Sequence, residues 1–399
     1  MKRTMKFPLY AAMAAFLTLS STSCSDAPNP TNTDNQLSEK ETVLQKAATD
    51  FVNKTVIPTY KGMADASMRL QEACEEIQKQ FAANQTIDAQ LVEKAGNEWI
   101  EARKYWELSE AFLYGAAGDY NIDPHIDSWP LDKQKLNELL ANRTAMEQMD
   151  ADYAANYLGY GLLGFHALEY MLFENTDGEG GVLLNTTDQE KLNNYLKYTV
   201  AVAGDLNNQC IRLEASWAGM DNITEEKQNI LTDAELEPSM NYGESMINAG
   251  QAGSKYKNYL ETAQEIIQGC ADIADEVGKQ KIGRPAGVTT EGNVYDTDYI
   301  ESPYSENSKT DFIDNIKSIQ NAYLGSNEGD ASVSDYVKTV SPETNEEVVA
   351  AINNAIAKIE AIPGVFRKNY NTQEAKDAAE ACGTTLVNAL NKAIRALEE

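Results

Sequence analysis

The stretch Leu91-Val-Glu-Lys-Ala95-Gly-Asn-Glu-Trp99-Ile-Glu-Ala102-Arg103-Lys-Tyr-Trp106-Glu-Leu-Ser109-Glu110-Ala-Phe112 carries the spacing that governs most of this chain. Leu91, Ala95, Trp99, Ala102 and Trp106 recur every three or four residues, which stacks them on one stripe of an α-helix, and Phe112 closes the run. Upstream, Val43, Leu44, Ala47, Ala48, Phe51 and Val52 share one face in the same way. That run continues past Pro58 through Met68, Cys74 and Ile77 to Phe81, and Pro58 should kink or divide it. Downstream, helical spacing covers roughly 153–173, 188–217 and 242–277. Ser341-Pro342 suits the start of a helix, and Asn371 with Glu374 forms a capping pair for a last helix running almost to the end. Alternating strand patterns are scarce and no β-hairpin is convincing. The expected fold is all-α.

Length sets the domain expectation. The 376 residues beyond the first 23 exceed what one hydrophobic core commonly serves. Two helical bundles are expected, 38–236 and 237–399, with Pro238 breaking a polar stretch at the boundary. The bundle-after-bundle layout is compatible with an internal duplication, although no residue-level repetition is visible. Two irregular stretches interrupt the helices, 115–131 (GAAGDYNIDPHIDSWPL) and 281–305 (KIGRPAGVTTEGNVYDTDYIESPYS). Loops this long in a compact protein are functional or linking.

The first 23 residues have the layout of a removed export signal. Lys2, Arg3 and Lys6 precede an apolar run over 7–19, short of the roughly 20 residues that span a bilayer. Ser21, Thr22 and Ser23 lead into Cys24, which resembles the acylated cysteine of a bacterial lipoprotein. The alternative is an ordinary cleaved signal that leaves Cys24 as a free thiol. Residues 24–37, polar with Pro28 and Pro30, read as a tether. The expected location is periplasmic or cell-surface, lipid-anchored to the outer membrane. Beyond Cys24 stand Cys74, Cys210, Cys270 and Cys382, without a C-x-x-C pair, so neither a zinc knuckle nor a redox motif is present. Disulfides and buried small apolar residues are both open for them.

The chain has 33 basic and 62 acidic residues, a formal charge of −29. Loss of the leader removes three positive charges and no acid, which makes it −32. Such a field repels nucleic acid and anionic bilayers and favours cations.

Only two histidines are present, His125 and His166. No G-x-S-x-G elbow or Walker loop accompanies them. His166 lies in Gly161-Leu-Leu-Gly164-Phe-His166-Ala-Leu-Glu169. At a spacing of three on a helix, imidazole and carboxylate can converge on one ion, or simply pair with each other. Gly161 and Gly164 weaken the helix and admit close approach of another backbone or a ligand. His125, in Asp123-Pro-His125-Ile-Asp127, reads as a surface-loop residue.

The phrase Gly164-Phe-His166-Ala-Leu-Glu169 is similar to the G-x-H-x-x-E signature of the imelysin family. Trp99 to Phe112, Ile126-Asp127-Ser-Trp129-Pro130, Ser302-Pro-Tyr304-Ser305 and 315–325 resemble further family segments in the right order, so the likeness spans most of the chain. The resemblance implies a two-domain helical fold with a pocket between the halves, and an association with bacterial iron uptake and iron-transport proteins; the family also carries a peptidase label. On this basis His166, Glu169, Glu110 and Asp127 are the expected metal ligands. Arg103, Ser109 and Ser305 are expected to contact the ligand. Glu110 has an ordinary alternative as a partner of Arg103, and Asp127 as a turn cap. Oxygen donors with one imidazole suit iron, and also zinc or manganese.

Three functions follow. One is a tethered binder of iron or an iron complex. The second is a metal-dependent peptidase, although H-E-x-x-H is absent and no residue is marked as the base. The third is a structural or partner-binding bundle in which His166 and Glu169 only pair.

Overall fold

Pro58 has no N–H to give to the preceding turn, and the chain accommodates it by widening that turn. In the computed structural model, which describes residues 38–398, helix Glu39–Asp50 opens on a Ser38–Glu41 capping box and runs into a π-turn, Phe51–Val56. Helix Ile57–Asn84 follows, with Pro58 in its first turn, where a missing donor is harmless. At Pro58 the expected kink or division takes the form of a π-turn, and the backbone stays right-handed helical on both sides of it. Gln85, in the left-handed region, ends that helix, and Asp88 caps Ala89–Glu107 through the amide of Gln90. The 57–84 helix packs along both Ala89–Glu107 and the long helix Gln189–Ala218, which Asp188 caps where expected. Trp99, Trp106, Tyr60 and Phe112 are fully buried.

The later helices Tyr259–Glu276, Ser308–Leu324, Pro342–Glu360 and Val387–Ala396 pack on one another, and Pro342 stands in the first turn as anticipated. The first helix, Glu39–Asp50, lies against Tyr259–Glu276 and Val333–Val340. Elements from both sides of position 237 thus share one core, and Ser38–Glu399 forms one compact unit. The expected split into two bundles is not shown. Among the described residues the structure is all-α, with only an isolated bridge between Glu174 and Gly180. None of these helices is long and apolar enough to cross a membrane. The expected leader, Cys24 and the tether lie outside the described residues.

Three expected helices differ in detail. The 153–173 segment is broken into Ala151–Tyr157, a 3-10 turn Tyr160–Leu162, and Gly164–Leu172. Gly164 has φ +70, and a Cβ there would stand 1.9 Å from the carbonyl oxygen of Ile126. The close approach of the 115–131 segment therefore requires glycine and breaks the helix. The 242–277 segment is likewise divided, into Tyr242–Ile247 and Tyr259–Glu276. The last cap is Thr372, one residue beyond the expected Asn371; its hydroxyl accepts from the Ala375 amide.

Two further π-turns, Val277–Lys281 and Ala381–Leu386, meet at glycines. A Cβ on Gly278 would stand 2.1 Å from the Gly383 nitrogen. This contact fixes the end of the Tyr259–Glu276 helix and turns Lys281 into the interior. Cys74, Cys210, Cys270 and Cys382 are free and buried, which selects the small-apolar reading over disulfides. Burial pushes the Cys74, Cys210 and Cys382 thiols up to about 12.

Candidate metal centre

Arg103 leaves the apolar stripe of Ala89–Glu107 and is completely buried. An unpaired guanidinium there would be prohibitive, and four carboxylates meet it. Nη2 lies 2.5 Å from Glu107 Oε1 and 2.5 Å from Glu301 Oε1. Nη1 pairs with Asp127, and Nε is 3.7 Å from Asp311 Oδ2. Lys281, also completely buried, extends the network: Nζ is 3.2 Å from Glu110 Oε1, 3.3 Å from Glu301 Oε1 and 3.5 Å from Glu107 Oε2. Neutral donors complete it. Trp106 Nε1 donates to Asp127 Oδ2 at 2.7 Å, Ser302 Oγ donates to Asp311 Oδ2 at 2.5 Å, and Asn315 Nδ2 donates to Glu107.

His166 approaches from the short helix Gly164–Leu172. Its Nδ1 is 3.4 Å from Glu169 Oε2, and its Nε2 is 3.1 Å from Asp127 Oδ1. The second contact is out of line for an N–H donor, which leaves buried Nε2 without a hydrogen-bond partner. Glu169 is held from its other oxygen: Oε1 accepts from the amides of Tyr304 and Ser305, at 2.9 and 2.7 Å, and from Ser305 Oγ at 2.7 Å. A cleft of about 530 Å³, walled by Trp129, Tyr304 and Tyr370, leads from outside to His166 and Glu169.

Five buried carboxylates, Glu107, Glu110, Asp127, Glu301 and Asp311, thus face two permanent cations, Arg103 and Lys281. The shortfall shows in the proton affinities. Burial pushes Glu107 up to about 8 and Asp311 up to about 6, against the pull of Arg103, and Glu110 well up against that of Lys281. Asp127 moves the other way: burial opposes it, but Arg103 and His166 hold it well below the usual range. Burial would lower His166, yet the Asp127 and Glu169 carboxylates raise it to about 9.

A pH dependence follows. Between about 4.5 and 8 the folded chain keeps a proton on Glu107 that the unfolded chain has released, so stability falls as pH rises. The stabilising proton on His166 is fully retained below about 6.5 and lost as pH rises through about 9. Both act in one direction. The urea midpoint of the metal-free chain should fall steadily from pH 6 to 9, with a slope of up to about 1.4 kcal/mol per pH unit for each proton. A flat profile would show that these groups titrate alike in both states.

Of the expected site residues, His166, Glu169 and Asp127 are brought together. Glu110 joins the neighbouring carboxylates, but its partner is Lys281 rather than Arg103. Arg103 is at the centre. Ser305 binds Glu169, whereas Ser109 donates to the Trp106 carbonyl at 2.7 Å and is spoken for. His125 departs from the surface-loop expectation: it is half-buried on the short helix Ile122–Ile126, with Nε2 2.7 Å from buried Asp205 Oδ2. Sequence reasoning missed Glu107, Lys281, Glu301, Asp311 and Asn315. Arg103, beside the apolar stripe between Trp99 and Trp106, was the available signal that buried acids must lie near.

The residues fit a cation. Asp127, His166 and Glu301 offer ligand atoms all within 4.8 Å of one another, and so do Glu107, Glu110 and Asp127. Besides His166 Nε2, the buried atoms Glu301 Oε2 and Asn315 Oδ1 also lack partners. One imidazole among carboxylates suits iron, manganese or zinc.

Among the described residues, an all-helical body thus gathers an imidazole and acids in its interior that could hold a metal ion. The chain belongs to the imelysin family (peptidase M75), whose model matches residues 56–397. It is 28% identical over 275 residues to iron-regulated protein A of Synechococcus elongatus, covering 69% of this chain and 63% of that protein. The chain thus spans under two thirds of that relative's length. An iron-regulated protein A precursor structure from Parabacteroides distasonis superposes with a TM-score of 0.72 at 27% identity, over 92% of this chain and 98% of the other. An imelysin-like protein from Psychrobacter arcticum, 13% identical, shares the fold with a TM-score of 0.56, over 91% and 95%.

Proposed function

We propose that this chain is an exported, lipid-anchored protein that captures a cation, iron first among the candidates, between Asp127, His166 and Glu301. The observation that carries this reading is the grouping of buried His166, Asp127 and Glu301, whose ligand atoms lie within 4.8 Å of one another, at the inner end of an open cleft. The relative's name, an iron-regulated protein, supports iron over zinc. When bound, the metal supplies the positive charge that Arg103 and Lys281 leave short. His166 holds it through nitrogen, Asp127 and Glu301 through oxygen, and Glu169 orients the imidazole from Nδ1.

Ferrous, manganous and zinc ions titrated into the chelator-stripped chain should bind tightly and near-stoichiometrically, and the His166→Ala, Glu169→Ala double variant should lose that binding. Equal weak binding by both proteins would assign it to the acidic surface and end the proposal. The anchor has its own check: palmitate label should enter the wild type in a lipoprotein-processing host and not Cys24→Ser. Labelling of neither would remove the anchor. The family's peptidase label supports a second reading, which requires chelator-sensitive cleavage of an unstructured peptide.

A further inference from the structure

The two groups of potential ligands share one residue. Asp127 belongs both to the Asp127–His166–Glu301 group and to the Glu107–Glu110–Asp127 group. A carboxylate common to two ligand sets is how paired metal ions are held. Here the second set already contains a cation. Lys281 Nζ lies 3.2 Å from Glu110 Oε1 and 3.5 Å from Glu107 Oε2, longer than the 2.7–2.9 Å of a close ammonium–carboxylate bond. We infer that Lys281 is the specificity-determining residue that fixes the centre at a single metal ion, its ammonium standing where a second ion would otherwise be held. The inference rests on the cation reading of the first group.

Three features support a built position. Lys281 is wholly buried, so its charge has no solvent to satisfy it. Its backbone is set by the π-turn Val277–Lys281, seated on Gly383 through Gly278, which turns this side chain inward. The cage around it also keeps a spare donor: the buried Asn315 Oδ1 has no hydrogen-bond partner, whereas Glu107 Oε1 is taken by Arg103 at 2.5 Å. With Arg103 already on Glu107 and Asp127, the Lys281 ammonium completes the pairing of the second set at Glu110. It also blocks a divalent ion by occupying the space and by repulsion.

The test counts manganous ions on the full chain, in salt and excess magnesium to suppress the acidic surface. The wild type should bind about one ion per chain and show an isolated-ion electron paramagnetic resonance spectrum. Lys281→Met should bind about two and show a spin-coupled spectrum, while Lys281→Arg should stay near one. Lys281→Met combined with Glu110→Gln should return to about one. The metal-free Lys281→Met protein should melt lower than wild type, and manganese should raise its melting temperature more than it raises the wild type's. Two ions on the wild type would overturn the inference with no variant needed. A folded Lys281→Met that stays at one ion, or that manganese fails to stabilise, would also overturn it. A wild type that binds none would instead remove the cation reading beneath it.

Discussion

Replacing Arg103 with methionine should cost the fold about 3–5 kcal/mol, the largest stability loss anticipated for any single site residue. Methionine restores much of the volume but none of the charge. Glu107, Asp127, Glu301 and Asp311 would then be buried with only Lys281 and His166 to answer them. Arg103→Lys should recover only part of the loss, because one ammonium cannot reproduce a planar fork that reaches three carboxylates through two nitrogens. Urea unfolding at pH 7 measures both. A loss below about 1 kcal/mol for the methionine variant would mean that the acids take up protons and stay buried neutral, so that the network is not an ionic one.

Asp127→Asn should weaken cation binding by about 100-fold while leaving the shape of the site intact. Asp127 is common to both ligand groups, accepts from Trp106 and pairs with Arg103, so its charge is used more than once. The same substitution removes the main anion facing His166 Nε2. Burial then prevails, and the imidazole pKa should fall from about 9. With only two histidines in the chain, ring-nitrogen resonance signals can be assigned by removing His125. An unchanged His166 titration together with unchanged affinity would show that Asp127 belongs to Arg103 alone.

The helices were legible where one face alone is apolar. Trp99, Ala102 and Trp106 announce their stripe, and Pro342 announces the start of its helix, because a proline suited to the first turn is a local signal. The break between Tyr157 and Gly164 was not, since Gly161-Leu-Leu-Gly164-Phe offers no polar position to set a phase. The contact that breaks the helix comes from Ile126, distant in sequence. The site divides similarly. His166 and Glu169 stand out by rarity and spacing. Glu107 looks like any glutamate four residues after an arginine, a pair usually found in solvent. What removes it from water is Lys281 and Asn315, more than 170 positions away. Lys281 and Glu301 do fall in the long irregular stretch that was flagged, but nothing in that stretch marks them as buried.

The distance along the chain between Arg103 and Glu301, 198 positions, also sets an order of events. A chain emerging from its N-terminus presents Arg103, Glu107 and Asp127 long before Lys281 or Glu301 exists to join them. Until then the arginine cannot be enclosed without leaving charge uncompensated, so the interior must stay open to water. The centre is therefore assembled among the last parts of the molecule, after nearly the whole polypeptide is present. For the export and cation capture proposed above, such a delay would leave no early fragment with a finished cage.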